Sequence, residues 1–175
     1  MTISWKHPDP STLSAYQKSY IDYVPGGDLV RILEQNMEAS IQLAKNIPKE
    51  KLSYRYAEGK WSIPEIFVHI SDCERIFSYR ILRISRGDKT PLAGFEQDEY
   101  AKEANVNERN FEDILEEFIA VRRATISLLK SFNNNLIERT GIANNTEISV
   151  LKIAYMLAGH EMHHIKVMKE KYLSA

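Results

Sequence analysis

An all-α fold, a four-helix bundle with a short N-terminal arm, is predicted by three observations. Four long segments of the 175-residue chain repeat apolar residues at three- and four-residue steps. No segment shows a comparable apolar–polar alternation of the kind a half-buried strand needs. The length fits one domain of about 150 residues, so each apolar stripe must face another. The bundle is assigned to residues 25–175 and the arm, expected to pack on it, to residues 1–24.

Within the arm, residues 10–23 could form a short helix that packs Tyr16, Tyr20 and Tyr23 on the bundle. The first bundle helix follows Pro25-Gly26-Gly27, with Asp28 placed to accept hydrogen bonds from the first free amides. Leu29, Ile32, Leu33, Met37, Ser40 and Ala44 mark its stripe, and Pro48 should end it. In the second helix Ser62 and Glu65 form a capping box and Pro64 lies in the first turn, where it loses no hydrogen bond. Ile66, His69, Cys73, Phe77, Ile81 and Ile84 follow until Gly87 supplies a stop. The third begins after Asn110 and carries Phe111, Ile114, Phe118, Thr125 and Leu129; the fourth runs from near Ser149 towards Tyr172. The 87–110 connection exceeds the ~2–8 residues usual in bundles and reads as a functional cover. Residues 133–148 read as a second polar connection.

Composition narrows the functions. Hydrophobic residues at 43% and charged residues at 27% are ordinary for a globular domain. Lys and Arg number 23 against 24 Asp and Glu, so no basic excess exists to neutralise phosphates, and no nucleic-acid partner is expected. The N-terminus lacks the apolar core of a signal peptide and no apolar run approaches the ~20 residues that span a bilayer, so a cytoplasmic protein without a membrane partner is expected. The single cysteine, Cys73, excludes an internal disulfide. Neither glycine signature of nucleotide-binding loops occurs.

The histidines carry the chemistry. His160 and His164 stand one turn apart, about 40° from each other around the helix, on the face that holds Ile153, Leu157 and Val167. Two imidazoles in an apolar stripe need something to satisfy their nitrogens, and a divalent metal does so directly. His69 offers a third ligand from the inner stripe of the second helix. Three histidines leave a coordination position open, as catalytic sites do and closed structural sites do not. A hydrogen-bonded core histidine is the blander reading of each ring. His163 is placed at the polar edge and His7 at the surface.

His160 to His164 also reads H-E-x-x-H, the zincin protease signature. Val167 and Glu170 stand where its extension wants a glycine and a third histidine, so a protease is not the preferred reading. Glu161 and Asp72 are the candidate catalytic carboxylates. Glu161 could polarise a water or lie at a helix contact; Asp72 could fix an imidazole tautomer or be a solvated helix carboxylate. Cys73 reads as a small buried hydrophobe ahead of a ligand or nucleophile. Arg75, Arg80, Arg83 and Arg86 could bind an acidic substrate or pair with Glu74 or Asp88. Phe95, Gln97, Asp98 and Tyr100 are the candidate pocket wall, and Trp61 could line its mouth or simply pack.

The run Gly59-Lys60-Trp61-Ser62-Ile63-Pro64-Glu65 before His69, and Gly159-His160-Glu161 with His163-His164 late in the chain, resemble the DinB superfamily. Glu74-Arg75-Ile76-Phe77, Arg86-Gly87-Asp88, Pro91-Leu92-Ala93-Gly94-Phe95 and Arg139-Thr140-Gly141 add to an ordered set spanning about residues 25 to 173. The resemblance implies up-down-down-up connectivity, a homodimer, and Zn2+ or Ni2+ held by His69, His160 and His164. It also implies thiol-dependent S-transferase chemistry with a low-molecular-weight co-substrate such as bacillithiol. The resulting expectation is a metal-dependent S-transferase or hydrolase acting on an electrophilic small molecule. The alternative is a non-catalytic, stress-associated bundle whose ion is structural, with His163 or Asp72 closing the coordination shell.

Overall fold

The structure is a computed structural model that describes residues 3–174. Its elements are α1 (Ala15–Ile21), α2 (Leu29–Lys45), α3 (Ile63–Ser85), α4 (Gln97–Glu103), α5 (Phe111–Lys130), α6 (Asn134–Ile137), strands β1 (Thr140–Ala143) and β2 (Thr146–Ser149), and α7 (Val150–Met168), whose last turn widens into a π-helix over Lys169–Leu173. The four long helices are the predicted ones. Asp28 caps α2 by accepting from the Val30 and Arg31 amides, and Ser149 caps α7 by accepting from Lys152. At α3 the Ser62 amide donates to Glu65 at 2.6 Å, which is one half of the capping box. Helix α2 stops at Lys45, three residues before Pro48. Gly87 follows α3 in the left-handed conformation (φ 83°) that glycine tolerates.

Two apolar clusters fix the directions of the helices. One gathers the C-terminal end of α2 (Ile41, Ala44), the start of α3 (Ile63, Phe67), the start of α5 (Ile114, Phe118) and the end of α7 (Met168, Tyr172). The other gathers the start of α2, the end of α3, the end of α5 and the start of α7. Helices α2 and α7 therefore run one way and α3 and α5 the other, an up-down-down-up bundle. Because α3 and α5 are parallel neighbours, the chain must travel back along α3, about 35 Å, before α5 can begin. That return explains the length of the 86–110 connection, and α4 forms on the way.

Residues 133–148 are not a plain polar connection. They contain α6 and an antiparallel hairpin in which Ala143 pairs with Thr146. Asn144 and Asn145 sit at φ 49° and 59°, the two left-handed positions of a tight hairpin turn. Leu92 joins the hairpin edge through hydrogen bonds to Ile142 and Asn144, tying the returning connection to the end of the bundle.

The N-terminal segment contributes to the core: Trp5, Leu13, Ile21 and Val24 are buried in the second cluster. Helix α1 lies against α7 so closely that a Cβ at Gly159 would come within 2.0 Å of the Tyr20 carbonyl oxygen. Tyr20 and Tyr23 pack on the histidines of α7, but Tyr16 does not follow them inward and is 61% exposed. On this short helix Gln17 and Ile21 take the inner face instead.

Candidate metal centre

Between the two apolar clusters the bundle carries a belt of buried polar side chains: Ser40, His69, Glu74, Arg122, His160 and Glu161. The pitch of α7 divides them. Successive residues turn by about 100°, so His160 and Glu161 cannot face the same way. His160 and His164 face α3 and its His69, beneath α1 and α4, whereas Glu161 turns to the bundle interior.

The interior half is an ion cluster. Arg122 is fully buried and donates to both carboxylate oxygens of Glu74 at 2.7–3.0 Å and to Glu161 at 2.6 Å. The second Glu161 oxygen accepts from the Ser40 hydroxyl at 2.7 Å. Both oxygens of Glu161 are thus engaged away from the histidines. The H-E-x-x-H spacing does not build a protease site here, because its glutamate has been drawn into this cluster. Asp72 is also elsewhere: it faces α5 and pairs with Arg75 at 3.2 Å, at the bundle surface. Neither candidate catalytic carboxylate reaches the histidines.

The outer half is the histidine group. His160 Nε2 lies 3.1 Å from His69 Nε2 and 3.2 Å from His164 Nε2, and the potential ligand atoms of all three rings fall within 4.8 Å of one another. Four-coordinate zinc with Zn–N bonds of about 2.0–2.1 Å places neighbouring nitrogens roughly 3.3 Å apart. The donor set therefore fits a cation of this kind. A hydrogen bond between two neutral rings uses one N–H and one lone pair, so three converging nitrogens cannot all be satisfied by one another. Cys73 Sγ stands 3.6 Å from His69 Nδ1, and burial pushes its thiol up to about 12, so it stays protonated. His163 is outside the group, packed between Tyr20 and Tyr23 with its Nδ1 3.4 Å from the Tyr23 hydroxyl.

Aromatic rings hold the imidazoles in place. Trp61 packs on His69 with centroids 4.4 Å apart, and its carbonyl is fixed by the Tyr172 hydroxyl at 2.6 Å. Tyr20 and Phe77 meet His160 edge-on at 5.3 and 6.1 Å. Two cavities flank the group. The larger, of about 490 Å3, reaches His160 and is walled by Tyr20, Cys73, Phe77, Arg80 and the start of α4. A second, of about 340 Å3, reaches His164 beside Trp61. Gln97 and Asp98 line both, and Phe95 lines the larger, as expected of the 88–109 segment; Tyr100 leans on Phe95 at 5.3 Å instead. The sequence reading did not anticipate that the hairpin residues Asn144, Thr146 and Ile148 complete the larger wall. Their only signal was the Asn144-Asn145 turn.

Burial lowers the basicity of all three rings, His69 to about 4 and His164 to about 3, with His160 further depressed by its neighbours. An unfolded histidine takes up a proton near pH 6.5, whereas these resist it. Stability from the neutral rings is therefore fully present above about pH 6.5 and is lost as pH falls toward 4, at up to about 1.4 kcal/mol per pH unit per ring. Melting curves of chelated protein should show the midpoint falling between pH 7.5 and 5. A midpoint unchanged across that window would contradict buried neutral imidazoles.

An up-down-down-up bundle with three imidazoles converging between its second and last long helices defines a class of four-helix proteins. This chain belongs to the DinB superfamily, whose model matches residues 32–168. It is 26% identical over 130 residues to a protein of Oceanobacillus iheyensis named as a candidate metal-dependent hydrolase, covering 73% of this chain and 74% of the relative. Its fold is similar to that of YfiT from Bacillus subtilis, described as a candidate metal-dependent hydrolase with an unusual four-helix bundle topology. That match has a TM-score of 0.70 and 13% identity, covering 97% of this chain and 93% of the other. Among the described residues no helix is long and apolar enough to cross a membrane.

Proposed function

We propose that this protein is a metal-dependent enzyme in which His69, His160 and His164 hold a divalent transition metal, zinc or nickel. Its substrate would be an electrophilic small molecule attacked by water or by a low-molecular-weight thiol of the bacillithiol type. The observation that carries this reading is the approach of His69 and His164 to His160 Nε2 at 3.1 and 3.2 Å beside a 490 Å3 cavity. When bound, such an ion supplies the Lewis acidity that lowers the pKa of a water or thiol beside it.

The chain's own residues supply the rest. Trp61, Tyr20 and Phe77 fix the imidazoles and keep bulk water from their edges. Asp98 lines both cavities, which supports it as the carboxylate that takes a proton from the nucleophile. Protonated Cys73 narrows the cavity without competing as a nucleophile. A purely structural ion would call for a fourth protein ligand, and both candidates, His163 and Asp72, are engaged elsewhere. The descriptions of the two relatives support hydrolysis, and the roomy cavity also accommodates a thiol co-substrate.

The test is turnover of p-nitrophenyl acetate, alone and with added thiol, and of 1-chloro-2,4-dinitrobenzene with thiol. Metal-loaded protein should turn over at least one, chelated protein neither, and one equivalent of zinc or nickel should restore the rate. Silence in every arm, together with a large fall in melting temperature on chelation, would establish the structural alternative.

A further inference from the structure

Among the described residues two arginines are buried, and their surroundings differ. Arg122 meets two carboxylates in the bundle interior. Arg80, 8% exposed on α3, pairs with none among the described residues. Among the described residues its one hydrogen bond is from Nη2 to the Ala93 carbonyl at 2.8 Å, and its guanidinium carbon lies 5.9 Å from the centre of the Phe95 ring. The neighbouring arginines of α3, and Arg86 just beyond it, are accounted for differently. Arg75 pairs with Asp72 and Glu117, and Arg83 with Asp88, while Arg86 is exposed over Phe132.

A guanidinium cannot shed its charge, and burial without a counter-charge is unfavourable. Four of its five N–H donors are left over after Ala93. Arg80 lines the same cavity that reaches His160. The surrounding wall offers neutral polar groups, Gln17, Tyr20 and Thr146, while Glu96 and Asp98 line the cavity without pairing with the guanidinium. Seven and eleven residues along a helix both return to within about 20° of the starting face, so Arg80, Cys73 and His69 share one stripe; the Cα atoms of Arg80 and His69 lie about 16 Å apart along α3.

We propose that Arg80 is the anchor for a carboxylate of the substrate, whose far end lies at the histidine group. The ligand class is an extended small organic acid, held by a bidentate guanidinium–carboxylate pair at one end of the cavity. This deepens the enzymatic reading by naming a substrate class, but the Arg80 contact itself does not depend on a metal. The acid belongs either to the electrophile or to a thiol co-substrate.

Calorimetric titration of pimelate and of 6-mercaptohexanoate, into metal-loaded and chelated protein, tests this on wild type, R80K and R80M. Loss of the charged pair should weaken both probes about tenfold or more in R80M. R80K should retain part of the affinity, and 1-hexanol should bind R80M and wild type alike. The dependence on Arg80 should persist after chelation, so the anchor stands even where the metal reading fails. Tighter binding of the mercapto-acid than of pimelate, seen only in metal-loaded protein, assigns the carboxylate to the thiol; equal binding assigns it to the electrophile. Acids that bind R80M as tightly as wild type would overturn the proposal. Should R80M fail to fold, phenylglyoxal modification of wild type decides: pimelate must slow the labelling of Arg80, and an unchanged rate refutes the anchor.

Discussion

Arg122→Met is expected to cost about 3–5 kcal/mol of stability, a large share of the ~5–15 kcal/mol that holds a typical domain together. Methionine replaces the aliphatic stem of the arginine, so packing along the stem is kept and the larger part of the loss is electrostatic. Glu74 and Glu161, 2% and 1% exposed, would be left facing each other without their cation. Two buried carboxylates without a counter-charge take up a proton instead. The penalty should therefore be largest at neutral pH and shrink as pH is lowered, which a loss of packing would not do. Urea denaturation of wild type and variant at pH 7 and pH 5.5 measures both. Adding Glu74→Gln and Glu161→Gln to the variant should recover much of the loss. A penalty below about 1 kcal/mol, or one independent of pH, would show that Arg122 is not the keystone of the cluster.

His164→Ala should abolish stoichiometric metal binding while leaving the helical circular dichroism intact. With the ligand set proposed above, it removes one of three nitrogens and leaves the other two on different helices. The backbone has no reason to respond, since alanine is a better helix former than histidine and the ring lies at a cavity wall. His163→Ala is the matched control. Its ring packs on Tyr20 and Tyr23, outside the converging group, so that variant should keep its metal. Elemental analysis of untagged protein reads both. Undiminished metal in His164→Ala would defeat the three-ligand set, and loss of metal in His163→Ala would mean that the other neighbour is the ligand.

Much of the bundle was legible because its signals are local. Asp28, Ser62 with Glu65, and Ser149 mark helix starts through hydrogen bonds that close within three residues. The hairpin was not legible: each strand has four residues, too few for a period-two pattern to stand out, and its identity rests on pairing across the Asn144-Asn145 turn. The length of the 86–110 connection was visible, but its cause was not. It follows from α3 and α5 being parallel, a relation between elements far apart in the chain.

What the sequence by itself determined is the four helices, their inner faces, and the placing of His69, His160 and His164 on those faces, because helical pitch converts spacing into direction. What only the tertiary structure decided is which polar groups meet. Arg80 lies on the inner stripe of its helix and Glu161 to one side of the His160 stripe, but neither position says which group the charge will meet. Packing against α5 gave Glu161 to Arg122, and the fold of α1, α4 and the hairpin over α3 left Arg80 lining a cavity whose carboxylates, Glu96 and Asp98, do not pair with it. Partner choice in a folded chain is set by distances between elements, and those distances exist only once the core has closed.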